Sequence, residues 1–400
     1  MWTSAVRSRL GLILSLTALA LAPDPGQAEG EMTERLFFQP IEKVITAGRT
    51  EQSIERAPAT VTVISSAEIK ASGALTIPEL LRFVPGLDVM TISASHAEVN
   101  ARGLNQLLSN KMLVLIDGRS VYFDFYGGIV WEGLPVLLDQ IERIEVVRSP
   151  SSALYGANAF SGVINIITKT PRQMKGSQIK VQAGENGTLF SSLLAGAQRG
   201  DTDFRVALGS RRLNSLDSTD HNSENVVLGN IYLGHLFQNN LRLSVEGGMS
   251  YGSVEHMVRM EMNEFDATTT YAKLNLERDG FRFQAFWNRG DETADPFFSP
   301  GEDVSILYNT LDLEAQNMTE AGGKNTLIYG ASYRLNTIES SIIDKDHSQN
   351  LLAVYFQDEY RPVPEISLLA GFRMDHHPLV GASLSPRGSL IYSPRSHHTL

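Results

Sequence analysis

Three groups of side chains have the types and spacing to do chemistry, and in each the chemistry is binding. The stretch HMVRMEM sets His256 beside Met257, Met260 and Met262, an imidazole among thioethers that suits a soft metal or haem. His376 and His377 stand side by side and could contact haem or a metal complex. Tyr122, Phe123, Phe125 and Tyr126 form an aromatic group, joined far along the chain by Phe297 and Phe298. These rings could grip a ligand, although Phe123 and Phe125 could equally fill a core. The runs DSTDHNSE and DKDH gather carboxylates able to meet Ca²⁺, but their spacing is not that of an EF-hand, and His221 reads as a plain loop residue. No catalytic pattern stands out: GxSxG, HExxH, a Walker loop and GxGxxG after a strand are all missing. The chain is therefore read as a non-enzyme, with no protein-held metal or cofactor expected.

Such groups need elements to hold them, and the chain offers two kinds. It has 400 residues, no cysteine and a net charge of −11, which excludes disulfides and thiolate sites and argues against nucleic acid as a partner. Arg7 and Arg9 precede the apolar run LGLILSLTALALA, with Gly26 and Ala28 at the spacing of a cleavage site. Residues 1–28 thus read as a secretory signal peptide. Residues 57–170 mix strands and helices as a small α+β domain. VTVI is a strand, Ser66 opens a short helix that Gly73 closes, and Thr76 with Glu79 caps IPELLRFV. A third short helix is expected around PVLLDQ. MLVLID reads as a strand buried on both faces, ended by the Asp117-Gly118 turn, and IERIEVVR and GVINIITK are two more strands.

From residue 176 the period becomes two. Leu243, Val245 and Met249 alternate with Arg242, Ser244 and Glu246; Phe281, Phe283, Ala285 and Trp287 alternate with Arg282, Gln284 and Asn288. Ile366, Leu368, Ala370, Phe372 and Met374 repeat the pattern. Tight turns (199–203, 237–240, 278–280, 317–323, 361–365) alternate with longer segments expected to be loops (212–222, 253–266, 289–303, 338–349, 376–383). Short connections on one rim and long ones on the other are the signature of an outer-membrane β-barrel, here about twelve antiparallel strands over 176–400.

Residues 54–170 resemble the plug domain of TonB-dependent outer-membrane receptors. The resemblance rests on ERAPATVTVISSAEI, IPELLRFVPGLDV, NARGLNQLLSNKMLVLIDGRSVY and DQIERIEVVRSPSSALYGANAFSGVINIITK, in the family's order. Ser149 departs from the family's usual glycine, so the turn there needs no positive φ. The resemblance implies a cork inside a barrel, in the outer membrane of a Gram-negative bacterium. On that footing Arg102, Arg143 and Arg148 are expected to pair with lumen carboxylates, the alternative being ordinary solvated arginines. IEKVITAG resembles the TonB box, with Glu42, Lys43, Val44, Ile45, Thr46 and Ala47. A β-branched run on a flexible tail, 29–56, could add a strand to a partner's sheet edge.

The implied function is import of a scarce ligand energised through TonB, with a ferric siderophore as leading cargo and haem or cobalamin as alternatives. Tyr122, Phe123, Tyr126, His256, His376 and His377 are the ligand-binding candidates. A passive channel or adhesin is opposed by the cork, and a signalling receptor by the short stretch between Ala28 and Ile41. A monomer in outer-membrane lipid is expected. Size adds one more expectation. Twelve strands would close into a backbone cylinder about 24 Å across with a lumen of about 14 Å. A plug of about 110 residues is about 34 Å across. Twenty-two strands, the number the resemblance implies, give a lumen of about 34 Å. The chain is accordingly expected to continue past Leu400 by roughly ten strands, about 190 residues, and not to form a working barrel alone.

Overall fold

The computed structural model describes residues 43–49, 51–92, 96–106, 110–123, 127–174, 176–214, 223–258, 261–294 and 304–393. The expected signal peptide lies outside them. The plug is built on a five-stranded sheet. Its strands are β3 (Val61–Ser65), β6 (Met112–Ile116), β7 (Arg119–Ser120), β8 (Ile141–Val147) and β9 (Gly162–Thr168), in the order β3-β8-β9-β6-β7. β6 runs parallel to β9, and the other pairs are antiparallel. A separate pair, β4 (Leu87–Thr91) and β5 (Ala97–Ala101), lies beside it, and β1 (Lys43–Val44) pairs with β2 (Gln52–Ser53).

MLVLI is buried at every position because both faces of this sheet are covered. Met112, Val114 and Ile116 join Ile144, Ile164 and Ile166 in one core, which Ile69, Leu80 and Leu81 close from two helices, Ser66–Ser72 and Ile77–Leu81. Ser65 and Glu68 make a reciprocal capping box on the first helix, and Gly73 ends it in the left-handed region. Thr76 caps the second, which stops at Leu81, short of the expected IPELLRFV. The helix expected near PVLLDQ is a single 3₁₀ turn, Leu138–Gln140. On the other face Leu113, Leu115, Val147 and Val163 pack with Ala159 and with Ala47 from the N-terminal segment.

Twelve antiparallel strands follow, each paired with the next in sequence. They are β10 (Gly176–Ala183), β11 (Leu189–Arg199), β12 (Thr202–Asn214), β13 (Ser223–Leu236), β14 (Arg242–Val258) and β15 (Glu261–Arg278). Then come β16 (Phe281–Ala294), β17 (Val304–Ala321), β18 (Asn325–Ser340), β19 (His347–Val363), β20 (Ile366–His377) and β21 (Gly381–Tyr392). β10 and β21 are each paired on one side only among the described residues. The alternation is as expected. Val245, Met249, Phe372 and Met374 face outward and are about half exposed, whereas Ser244, Glu246, Gln284, Asn288 and Arg373 are buried against the plug. The tight turn expected at 317–323 lies further on, because β17 continues to Ala321.

Two expected loops are largely strand. Residues 253–258 pair with 261–266, Ser253 opposite Asp266 through Val258 opposite Glu261. His376 and His377 pair with Ala382 and Gly381, leaving 378–380 as the connection. β14, at 17 residues, reaches roughly 43 Å along the barrel axis at about 3.3 Å per residue and a tilt of about 40°. The apolar band needs only about 25 Å. Beyond the lipid both faces are wet, so the period-two signal fades while the ladder continues.

Candidate functional site

The residues that tie the N-terminal segment to both plug and wall centre on a buried carboxylate. Glu145 has no solvent exposure and faces the covered side of the sheet. A carboxylate there is tolerable only if its oxygens are saturated by donors. Oε2 accepts from Ile45 N and Thr46 N, each at 2.9 Å, and from Thr46 Oγ1 at 2.6 Å; Oε1 accepts from Arg143 Nε at 2.8 Å. Tyr155 OH donates to Thr46 O at 3.0 Å, and Asn165 Nδ2 to Thr46 Oγ1 at 3.1 Å. Val44 is fully buried and pairs with Gln52, so the segment is docked rather than the free tail expected. Lys43 is exposed beside Glu51, and Glu42 lies outside the described residues.

Two residues past Ala47 the chain crosses to the barrel. Arg49 takes a positive φ of 59°, and its guanidinium bonds Glu314 on β17 and, at 2.9 Å, Tyr355 OH on β19. It lies over the rings of Tyr155 and Tyr355, 4.6 and 4.8 Å from their centroids. Burial alone would lower the Arg49 pKa; the Glu314 carboxylate and the two phenols more than offset it, and the net shift is upward. The same burial raises the Tyr155 phenol, which stays a neutral donor.

A second junction is the turn Asp117-Gly118-Arg119, which the sequence marks only as turn chemistry. Asp117 and Gly118 both have positive φ, 48° and 80°. The Asp117 carboxylate accepts from Thr168 N and Oγ1 at 2.9 and 2.6 Å, closing the turn on β9. The carbonyls then point at the wall. Lys273 donates to Asp117 O, Gln284 to Gly118 O at 3.0 Å and Asn288 to Ser120 O at 2.8 Å. Arg119 donates to Asn288 Oδ1 at 2.7 Å and lies 3.8 Å from the Tyr271 centroid; burial lowers its pKa. Elsewhere the pattern repeats. Arg205 reaches Lys169 O at 2.8 Å, Asn230 reaches Pro135 O at 3.1 Å, and Arg211 donates to Glu132 O. The wall holds the plug through its main-chain oxygens as well as through side chains such as Asp139, Gln140 and Thr168.

The arginines expected to face lumen carboxylates do something else. Among the described residues Arg102 donates to Arg148 O at 2.7 Å, Arg148 to Pro85 O and Thr62 Oγ1, and Arg143 to Glu145. Arg102 and Arg148 fasten one plug segment to another, whereas Arg143 bonds Glu145 within β8. Plug-to-wall bonding falls instead to Arg49 and Arg119 and to the inward side chains of the strands.

Among the described residues the ligand candidates do not converge. Phe123 is buried and stacks on Tyr308 of the wall with centroids 3.7 Å apart, so it fills the interior. Tyr122 is half-buried; Tyr126, Phe125, Phe297 and Phe298 lie outside the described residues. His256 sits within β14 opposite Asn263, and Met257 opposite Met262, in a ladder rather than a loop; Met260 is undescribed. His376 and His377 are neighbours on a strand and face opposite sides. His376 follows Phe372 and Met374 outward and lines an apolar external groove with Leu352 and Val354, while His377 Nδ1 accepts from Leu379 N at 3.1 Å. Most of DSTDHNSE, with His221, is undescribed, although Glu224 pairs with Arg211 at 2.9 Å. No cluster of three metal-ligating side chains occurs among the described residues.

Glu145 and Arg49 carried little advance signal. A carboxylate sharing a strand face with Val147 in IERIEVV was the one available clue, since such a position is buried and must find donors.

A cork tied by hydrogen bonds inside an antiparallel wall with an apolar outer face defines a plugged membrane-barrel receptor. Comparison with known proteins places it further. Residues 53–163 match the TonB-dependent receptor plug domain, and residues 179–400 match the TonB dependent receptor-like β-barrel. The chain belongs to the TonB-dependent receptor family, whose barrels are outer-membrane proteins. It is 39% identical over 145 residues to the vitamin B12 transporter BtuB of Vibrio vulnificus, covering 36% of this chain and 23% of that protein. To the iron-regulated outer membrane virulence protein of Vibrio cholerae it is 26% identical, covering 94% of this chain and 59% of that one. Among solved structures, the FrpB iron transporter of Neisseria meningitidis shares the fold with a TM-score of 0.73 at 13% identity, covering 85% of this chain and 62% of that one. A ferric enterobactin receptor mutant of Pseudomonas aeruginosa gives 0.70 at 18%, covering 90% and 62%. The chain thus spans less than two thirds of the length of these relatives. No helix among the described residues is long and apolar enough to cross a membrane.

Proposed function

We propose that the protein acts in import of a scarce ligand across the outer membrane of a Gram-negative bacterium, energised through TonB, with a ferric siderophore as the leading cargo. The observation that carries this reading is the path of residues 43–49, seated on the plug through Glu145 and reaching the wall through Arg49. A pull on Lys43 loads the Glu145 bonds before it loads the plug sheet. Strand addition to a TonB sheet edge requires β1 to leave β2 first, and that ladder is only two residues long. Docking therefore keeps the segment hidden, yet holds it by a handful of bonds. The relatives named for iron uptake support a siderophore; those named as vitamin B12 transporters support cobalamin as the second reading.

The test is uptake of labelled ferric siderophores, haem and cobalamin by cells carrying the gene, with and without TonB. TonB-dependent uptake of one of them is expected, and uptake indifferent to TonB would reject energised import. Val44→Pro removes the N–H of a buried residue of β1 and should abolish transport while surface binding persists; normal transport in this variant would displace the coupling role from the segment.

A further inference from the structure

The outward face of β16–β20 is not level. One row of cross-strand partners runs Phe283, Ala315, Ala331, Val354 and Met374, each opposite the next. The two alanines in its middle make a dip between bulky neighbours. Above them, toward the long connections, Leu313, Tyr333 and Leu352 stand side by side; below them lie Tyr329 and Phe356. The result is an apolar trough of about 450 Å³, within the ~300–1,000 Å³ of small-molecule sites. Its two ridges are about 13 Å apart at ~3.3 Å per residue, and its ends, Phe283 and Met374, about 19 Å apart at ~4.8 Å per strand.

Both tyrosine hydroxyls are turned to other partners. Tyr333 donates to Asn350 Oδ1 at 2.6 Å, and Tyr329 accepts from Asn317 Nδ2 at 2.8 Å. That bracing steadies the ridges and leaves carbon surface toward the trough. No carboxylate, lysine or arginine lines it among the described residues, and its one imidazole, His376, stands beside Leu352 one residue from the end of β20. The trough climbs across the wall: Phe283 is the third residue of β16 from the short-turn rim, and Met374 the ninth of β20. It is continuous with the lipid-facing band of Val354, Phe372 and Met374. An empty recess there forfeits dispersion contacts, and the material at hand to fill it is hydrocarbon.

We propose that this trough is a binding site for one acyl chain of an ester-linked membrane lipid from the leaflet on the long-connection side. The ester region lies beside His376, whose ring N–H can donate to an ester carbonyl, and the methyl end points toward Phe283. The inference rests on the wall's place in the outer membrane and holds whatever cargo the protein takes.

The purified full chain in a non-ionic detergent is mixed with phosphatidylglycerol bearing a photoactivatable diazirine near the carboxyl end or at the methyl end of one palmitoyl chain, and adducts are mapped by mass spectrometry. Labelling of β17–β19 should saturate and yield to excess unlabelled phosphatidylglycerol. Labelling of Val227, Ile231 and Leu233, exposed on β13, should instead rise in proportion to the probe. The methyl-end diazirine should mark the Phe283 side and the carboxyl-end one the Met374 side. Ala331→Trp fills the dip and should cut the saturable labelling severalfold with β13 unchanged; Ala315→Phe does the same from the next strand if the first variant does not fold. Labelling of β17–β19 no more saturable than that of β13, or undiminished in the filled variants, overturns the proposal, and so does a reversed order of the two diazirines. In cells, a benzophenone side chain in place of Leu352 should join a lipid on irradiation. An adduct with another protein, or with a second copy of this chain, also overturns it.

Discussion

Glu145 and Arg49 divide the work of holding the N-terminal segment, and each can be removed separately. Glu145→Ala deprives Ile45 N, Thr46 N and Arg143 of their acceptor. Breaking a buried charge pair from one side costs about 3–5 kcal/mol, here spent largely on releasing the segment. A spin label at Lys43, which is exposed, should become mobile in that variant; a label as immobile as in the wild type would mean other contacts hold the segment. Arg49→Ala strands the Glu314 carboxylate, so Glu314→Gln should relieve part of the damage. A double-mutant cycle on thermal unfolding should give a coupling of about 1–3 kcal/mol. Neither residue was legible in the sequence, because their roles depend on partners 100 and 265 positions away. For the same reason the acceptors that Arg102 and Arg148 find within the plug, mostly main-chain oxygens, were not foreseen, since no side-chain pattern announces them.

At the scale of elements the strands declare themselves wherever lipid wets one face. Val245 and Ser244, or Phe372 and Arg373, sort correctly because lipid and plug demand opposite chemistry of adjacent residues. Above the lipid that contrast ends, which is why His256 and the histidine pair at 376–377 were assigned to loops although they lie in ladders. Glycine marks one place where strand and plug meet closely. A Cβ on Gly290 would fall 1.9 Å from the Tyr308 ring, the ring on which Phe123 stacks. Gly290→Ala should swing Tyr308 away and forfeit that stack, worth about 1 kcal/mol. The expected readout is a lowered melting temperature that adding Tyr308→Ala does not lower much further. Fully additive losses would show that the two residues act independently.

For the whole molecule, the plug was legible through the resemblance its motifs carry, and the wall through the change of period at residue 176, which follows from what lipid requires of a backbone. The proposed cargo was not legible, because the candidate rings and histidines do not gather at one place among the described residues. The wall's use of main-chain oxygens has a consequence for inheritance. Carbonyls at Asp117, Gly118, Ser120, Glu132, Pro135 and Lys169 are offered by any residue that keeps the local backbone path. A socket that reads contour at those points lets its stopper drift in composition there, so a chimera carrying a homologue's cork of the same trace should still seat against this wall provided it keeps Asp139, Gln140 and Thr168.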